Sequence, residues 1–198
     1  IDANVRQADG TYRFTKYSAI TYNNATAEEA GAIHPSADVK VDASGHALDI
    51  ITNADGADQT AAVRNSGKNL EIKAGTFRLQ ANPEENYTLY AWGIRNESGI
   101  TSVSGMTEIA AVGYSSSRAV EATEGKVTLE GLKATVAGNR DAMALLAGSS
   151  GQIFANTQNG AAGSHVVKLD GNVGAMGEAS RIDVAMVNGD SGLHGLAF

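Results

Sequence analysis

A glycine-led phrase recurs at a fixed interval. Gly99-Ile-Thr-Ser-Val-Ser-Gly105 is followed by Gly125-Lys-Val-Thr-Leu-Glu-Gly131 and Gly151-Gln-Ile-Phe-Ala-Asn-Thr157, with the leading glycines 26 residues apart both times. A short apolar run precedes each phrase: Trp92-Gly-Ile94, Ala119-Val120 and Ala142-Met-Ala-Leu-Leu146. A second run follows the first two, at Met106–Val112 and Leu132–Ala137. Each unit therefore reads as strand, turn, strand, turn, strand. Self-similarity at this period is the mark of a solenoid, whose units bury their apolar faces against their neighbours.

Strands this short and closely spaced, without crossover helices, are satisfied by pairing with equivalent strands of adjacent units. The expected fold is thus all-β, a right-handed parallel β-helix with an atypical N-terminal cap. Val63, Ile94, Val120 and Leu145 form one expected inward column, and Leu70, Val103 and Leu129 a second. An antiparallel meander or sandwich is the competing fold, but it leaves the equal steps unexplained. Composition agrees with narrow coils: 23 glycines, 2 prolines and few aromatics among 198 residues.

Residues 1–36 read differently. Tyr12, Phe14, Tyr17 and Tyr22 concentrate there, and Ala25-Thr-Ala-Glu-Glu-Ala30 has the look of about one helical turn. An open solenoid end needs covering, so this stretch is read as a cap and residues 37–198 as rungs. From Gly67 to Gly99 the step is 32, and the excess is assigned to a corner loop around Pro83. Asn139–Ala147 has a helix-like Ala-Leu interior behind an Asn cap, yet its place in the repeat makes it a strand. The missing initiator Met and the abrupt stop at Phe198 suggest a fragment that continues in the native chain.

A net charge of −7 disfavours nucleic acid, which is bound through a basic footprint. Without cysteine there is no disulfide, thiol nucleophile or Cys-ligated zinc. No apolar run nears the ~20 residues of a membrane-spanning helix, so this segment is read as not membrane-inserted. His34, His46, His165 and His194 lack metal-ligand spacing. Asn53, Asp55 and Asp58 are oxygen-rich, but an Asn/Asp/Gly turn needs no calcium. No cofactor or metal is expected.

The phrases Val127-Thr-Leu-Glu-Gly131, Val167-Lys-Leu-Asp-Gly-Asn-Val173 and Asp190-Ser-Gly-Leu-His-Gly-Leu196 resemble passenger repeats of Gram-negative autotransporter (type V secretion) surface proteins, over about residues 37–198. The resemblance implies a parallel β-helix on the bacterial cell surface, joined in the full-length protein to a C-terminal outer-membrane barrel. It also implies adhesion or a stalk role, by non-covalent contact with a host or bacterial surface protein or glycan. Absence of cysteine fits passage across the periplasm in an unfolded state.

Tyr87, Tyr90 and Trp92, beside the Pro83 insertion, are the candidate ligand-binding residues, because loops on a regular scaffold commonly carry recognition. Packing of Trp92 into the core or under a loop is the competing reading. No catalytic residues are expected. The enzyme alternative is a polysaccharide lyase or glycosidase, with Asp170, Asp183, Asp190 and Arg181 converging in a groove. A pure spacer, as in a tail fibre, is the third reading.

Overall fold

The structure is a computed structural model that describes residues 6–23, 30–53, 58–81, 89–137, 141–155, 167–172 and 182–186. The ten strands are β1 (Tyr12–Arg13), β2 (Ser18–Tyr22), β3 (Ala30–Ile33), β4 (Val39–Thr52), β5 (Gln59–Ala81), β6 (Tyr90–Val112), β7 (Ser116–Ala137), β8 (Asp141–Ala155), β9 (Val167–Asn172) and β10 (Ile182–Met186). Every strand pair among them is parallel, as a β-solenoid of about four turns requires. No helix occurs among the described residues. The antiparallel alternative is therefore excluded, and Asn139–Ala147 enters β8 as a strand from Asp141 onward. The proposed turn at residues 25–30 lies outside the described residues up to Ala30, which begins β3.

The long strands bend around corners, so each coil has three faces. Face 1 carries residues 12–13, 39–43, 70–74, 100–104, 126–129 and 152–155. Face 2 carries 18–22, 47–52, 76–81, 106–112, 131–137 and 167–172. Face 3 carries 30–33, 60–65, 91–96, 117–122, 142–147 and 182–186. The stretch expected as a cap contributes β1, β2 and β3, which pair in parallel with the next coil, one on each face.

Parallel stacking places equivalent side chains above one another, and apolar ones form the core columns. Ile33, Val63, Ile94, Val120 and Leu145 are in register and buried, as the repeat predicts. The second expected column is corrected. Leu70 stacks on Thr101 and Val127, whereas Val103 and Leu129 stack on Ile72. Lys68, not Gly67, lies opposite Gly99, so the pairing differs from a glycine-to-glycine count. Residues 82–88, with the expected Pro83 loop, lie outside the described residues. The flanking pairs place most of the excess between Ala81 and Tyr90, because the equivalent join in the next coil runs only from Ala111 to Ser116.

Thr101 occupies an apolar column because it has polar company. Its hydroxyl donates to Asn96 Oδ1 at 2.8 Å. Asn65 Nδ2 lies 3.0 Å from Thr101 Oγ1 and 3.1 Å from Asn96 Oδ1, and Lys68 N donates to Asn65 Oδ1 at 2.9 Å. Asn96 Nδ2 donates in turn to Glu124 O at 2.9 Å. These stacked asparagines satisfy backbone groups where the chain turns from face 3 to face 1, as buried polar groups require.

Thr107 has no such company. It lies between Phe77 and Leu132 in a face-2 column, is 0% exposed, and its hydroxyl has no hydrogen-bond partner. An unmatched buried hydroxyl costs about 1–3 kcal/mol. Thr107→Val keeps the shape and removes that group, so it is expected to stabilise the stack by about 1 kcal/mol in urea unfolding. A variant no more stable than the parent would show that the hydroxyl is satisfied in solution.

Candidate functional site

Face 3 carries Trp92 and, at its start, Tyr90. Gly93 and Ile94 both turn inward there. A Cβ on Gly93 would collide with the Ile109 side chain, and Ala62, Ala119 and Ala144 keep the same position small and buried in neighbouring coils. Two successive inward residues break the usual alternation of a strand. Trp92 consequently stands outside the apolar core cluster, in register with Ala61 and Arg118.

Trp92 is only 4% exposed all the same. Its indole N–H donates to Glu121 Oε2 at 2.6 Å, from one coil to the next. The Arg95 guanidinium lies 4.3 Å from its ring centroid and that of Arg118 5.9 Å, both within cation–π range. Tyr90 stacks at 5.9 Å with planes 23° apart. Arg118 Nε also approaches Glu121 Oε2 at 3.3 Å. The indole is thus enclosed by its own neighbours, and its packing role is the one this arrangement displays. Tyr90 is half-buried at the edge of the cluster, and Tyr87 lies outside the described residues.

Glu97 is the second acidic centre of this face. It accepts from Arg64 Nη2 at 2.7 Å and Ser66 Oγ at 2.6 Å, with Arg95 Nε at 3.4 Å. Burial pushes its pKa up, but Ser66 and the two guanidiniums outweigh that and leave it below the usual range.

Face 2 bears a row of charges that the sequence reading passed over. Asp49, Arg78, Glu108 and Lys133 occupy successive coils in register, and Arg78 pairs with Asp49 and Lys133 with Glu108. Tyr17 OH also donates to Asp49 Oδ2 at 2.7 Å. This bond and the negative charge raise the Tyr17 pKa, which keeps the phenol protonated and unlike a nucleophile. The available signal was opposite charge repeating one coil apart, read along the stack rather than along a strand.

Face 1 continues the theme. Arg13 pairs with Asp42 at 3.4 Å, Lys40 with Glu71 at 3.6 Å and Lys73 with Glu71 at 2.7 Å. The side-chain and backbone donors of Ser44 hold the Asp42 pKa low, Lys73 does so for Glu71, and the Asn69 N–H does so for Asp38. Folded-state pKa values below the unfolded ones add stability that is complete above the unfolded carboxylate range. That stability is lost as pH falls through the lowered values. Urea midpoints are therefore expected to hold from pH 7 to about pH 5 and to decline below about pH 4.5, more gently in high salt. A flat midpoint down to about pH 3 would contradict the carboxylate assignments.

The residues of the enzyme alternative do not gather on one face. Asp170 pairs with Thr135 on face 2 and Asp183 with Met143 on face 3, while Arg181 and Asp190 lie outside the described residues. His34 is exposed and His46 half-buried, and His165 and His194 lie outside the described residues. Asn53 bonds Asn23 side chain to side chain at 2.7 Å, Asp58 is exposed, and Asp55 lies outside the described residues. No cluster of metal-ligating residues occurs among the described residues, and no described helix is long and apolar enough to cross a membrane.

The corner between faces 2 and 3 has joins of unequal length. Its joins are residues 23–29, 53–58, 82–89, 113–115, 138–140 and 173–181. The corner between faces 1 and 2 varies as well, from the single residues Gly75 and Gly105 to residues 156–166 between β8 and β9, whereas the corner between faces 3 and 1 keeps a nearly constant length. Tyr90 and Tyr114 lie at the corner between faces 2 and 3, and Tyr114 is 48% exposed.

The chain matches no protein-family model, no curated protein and no solved structure.

Proposed function

We propose that this chain is a passenger segment of a bacterial autotransporter-like surface protein, acting outside the cell as an adhesin on a rigid stem. Its work is non-covalent binding to a host or bacterial surface protein or glycan, without chemistry of its own. In the full-length protein a C-terminal outer-membrane barrel would anchor the stem. The supporting observation is the corner between faces 2 and 3, whose joins differ in length from residues 113–115 to residues 82–89 beside Tyr90. Regular coils fix the positions of those joins, and loops on such a scaffold are where solenoids usually bind.

The test is adhesion of beads coated with the segment to cultured epithelial cells, immobilised matrix proteins and beads of the same kind. The intact segment is expected to adhere to at least one of these surfaces. Exchanging residues 82–88 for a short join like 113–115 should lower adhesion at least tenfold while the melting temperature holds. No adhesion to any surface by the folded segment would overturn the adhesin reading in favour of a spacer.

A further inference from the structure

A groove of about 780 Å³ runs along face 1, across several coils, toward the N-terminal residues Arg6 and Gly10. Its size lies within the range of small-molecule sites, roughly 300–1,000 Å³. We propose that it binds a neutral linear oligosaccharide laid along the axis of the stack. This deepens the binding reading above and rests on it.

The shape of the groove follows from the register. Glu71 stacks on Ser102 and Lys73 on Ser104, so two long side chains give way to two short ones. Beside this depression stands Ile100, in an outward row with Asn69 and Lys126. It is 44% exposed, one of the few large apolar side chains left in water among the described residues. Tyr12 lines the same groove from the first coil.

Several of the charged groups already have partners. Lys40 pairs with Glu71, and Asp38 accepts from Asn69 N at 2.9 Å and from Asn69 Nδ2 at 3.0 Å. With Arg6 and Asp9, the lining has two basic and three acidic side chains. No positive excess is left to hold an anion. What remains are serine hydroxyls, spare carboxylate lone pairs and the apolar surface of Ile100, beside the Tyr12 ring over which Arg6 lies at 5.9 Å. A pyranose presents the complement, hydroxyls at its rim and C–H groups on its faces.

The periodicity makes the case for a polymer. Lys40, Glu71 and Ser102 offer one outward polar group per coil, and paired strands are about 4.8 Å apart. That spacing is close to the length of one sugar unit in an extended chain, so successive units meet successive coils. An extended peptide is less suited, because it binds such surfaces through unpaired strand edges. On face 1 the backbone groups of the middle strands are already engaged on both sides.

The probes are linear tetrasaccharides of glucose, mannose and galactose, titrated calorimetrically against the intact segment, with sulfated and sialylated oligosaccharides alongside. At least one neutral tetrasaccharide is expected to bind. Ser102→Arg, which fills the depression, should weaken that binding at least tenfold, as should Ile100→Asp, with melting temperatures unchanged. Exchange of residues 82–88 should leave it unaltered. Absence of neutral-sugar binding, binding of anionic sugars only, or binding indifferent to both substitutions would overturn the proposal. The two readings fail separately. Adhesion of the unsubstituted segment with no neutral-sugar binding sinks the groove alone, and sugar binding without adhesion sinks the adhesin reading alone.

Discussion

Gly125→Ala is expected to destabilise the stack by about 2–4 kcal/mol, while Gly45→Ala should cost only about 1 kcal/mol. Both glycines have left-handed φ, +74° for Gly125 and +79° for Gly45. A side chain in that region costs about 1–2 kcal/mol at either position. The neighbourhoods decide the rest. Nothing lies within 4 Å of a Cβ added to Gly45, whereas one on Gly125 would run into the Gly99 carbonyl oxygen of the coil beneath. Relief requires the two coils to part at that corner, in the middle of the stack. A solenoid depends on its nearest-neighbour interfaces, so parting one of them weakens both halves. Urea unfolding of the two variants checks this. Equal losses would show that the coils do not approach as closely as described.

Trp92→Ala is expected to cost about 3–5 kcal/mol, the usual range for removing a buried aromatic. The ring joins two coils through Glu121 and fills the space between Arg95 and Arg118. Trp92→Phe keeps most of the packing and loses the indole donor, so its cost should be smaller, about 1–3 kcal/mol. The same pair of variants separates structure from recognition. An enclosed ring predicts that Trp92→Phe leaves adhesion of the folded segment unchanged. A large loss of adhesion with little loss of stability would instead make Trp92 a contact residue.

Where the inward side chains are apolar, the repeat can be read directly. The column from Val63 to Leu145 falls out of the spacing because each member is aliphatic and the later steps are nearly equal. Reading fails where a polar residue takes an inward place. Thr101 interrupts the column from Leu70 to Val127, since its hydroxyl is bonded within the asparagine stack. An apolar pattern passes over it and pairs Leu70 with the next aliphatic, Val103. Trp92 is harder to place for a similar reason. The paired inward residues Gly93 and Ile94 reverse the alternation locally, and only the packing of Ile109 against Gly93 reveals this. The ion pairs between coils escape a linear reading because their partners lie far apart in sequence, 25 residues for Glu108–Lys133 and 33 for Arg64–Glu97.

A chain of similar coils also faces a counting problem as it folds. Nothing in an aliphatic column tells a coil whether its neighbour is the next one or the one after. The charges on face 2 distinguish these cases. Asp49, Arg78, Glu108 and Lys133 change sign at every step, so correct stacking sets opposite charges side by side. If a coil were skipped, Asp49 would lie against Glu108, or Arg78 against Lys133. Like charges directly opposite each other on paired strands are destabilising, by roughly 0.2–1 kcal/mol at each contact. From Asp49 to Lys133 the row therefore works as a parity check, rejecting an assembly of these coils that has lost count by one; it ends there, because the next residue in register is Lys168.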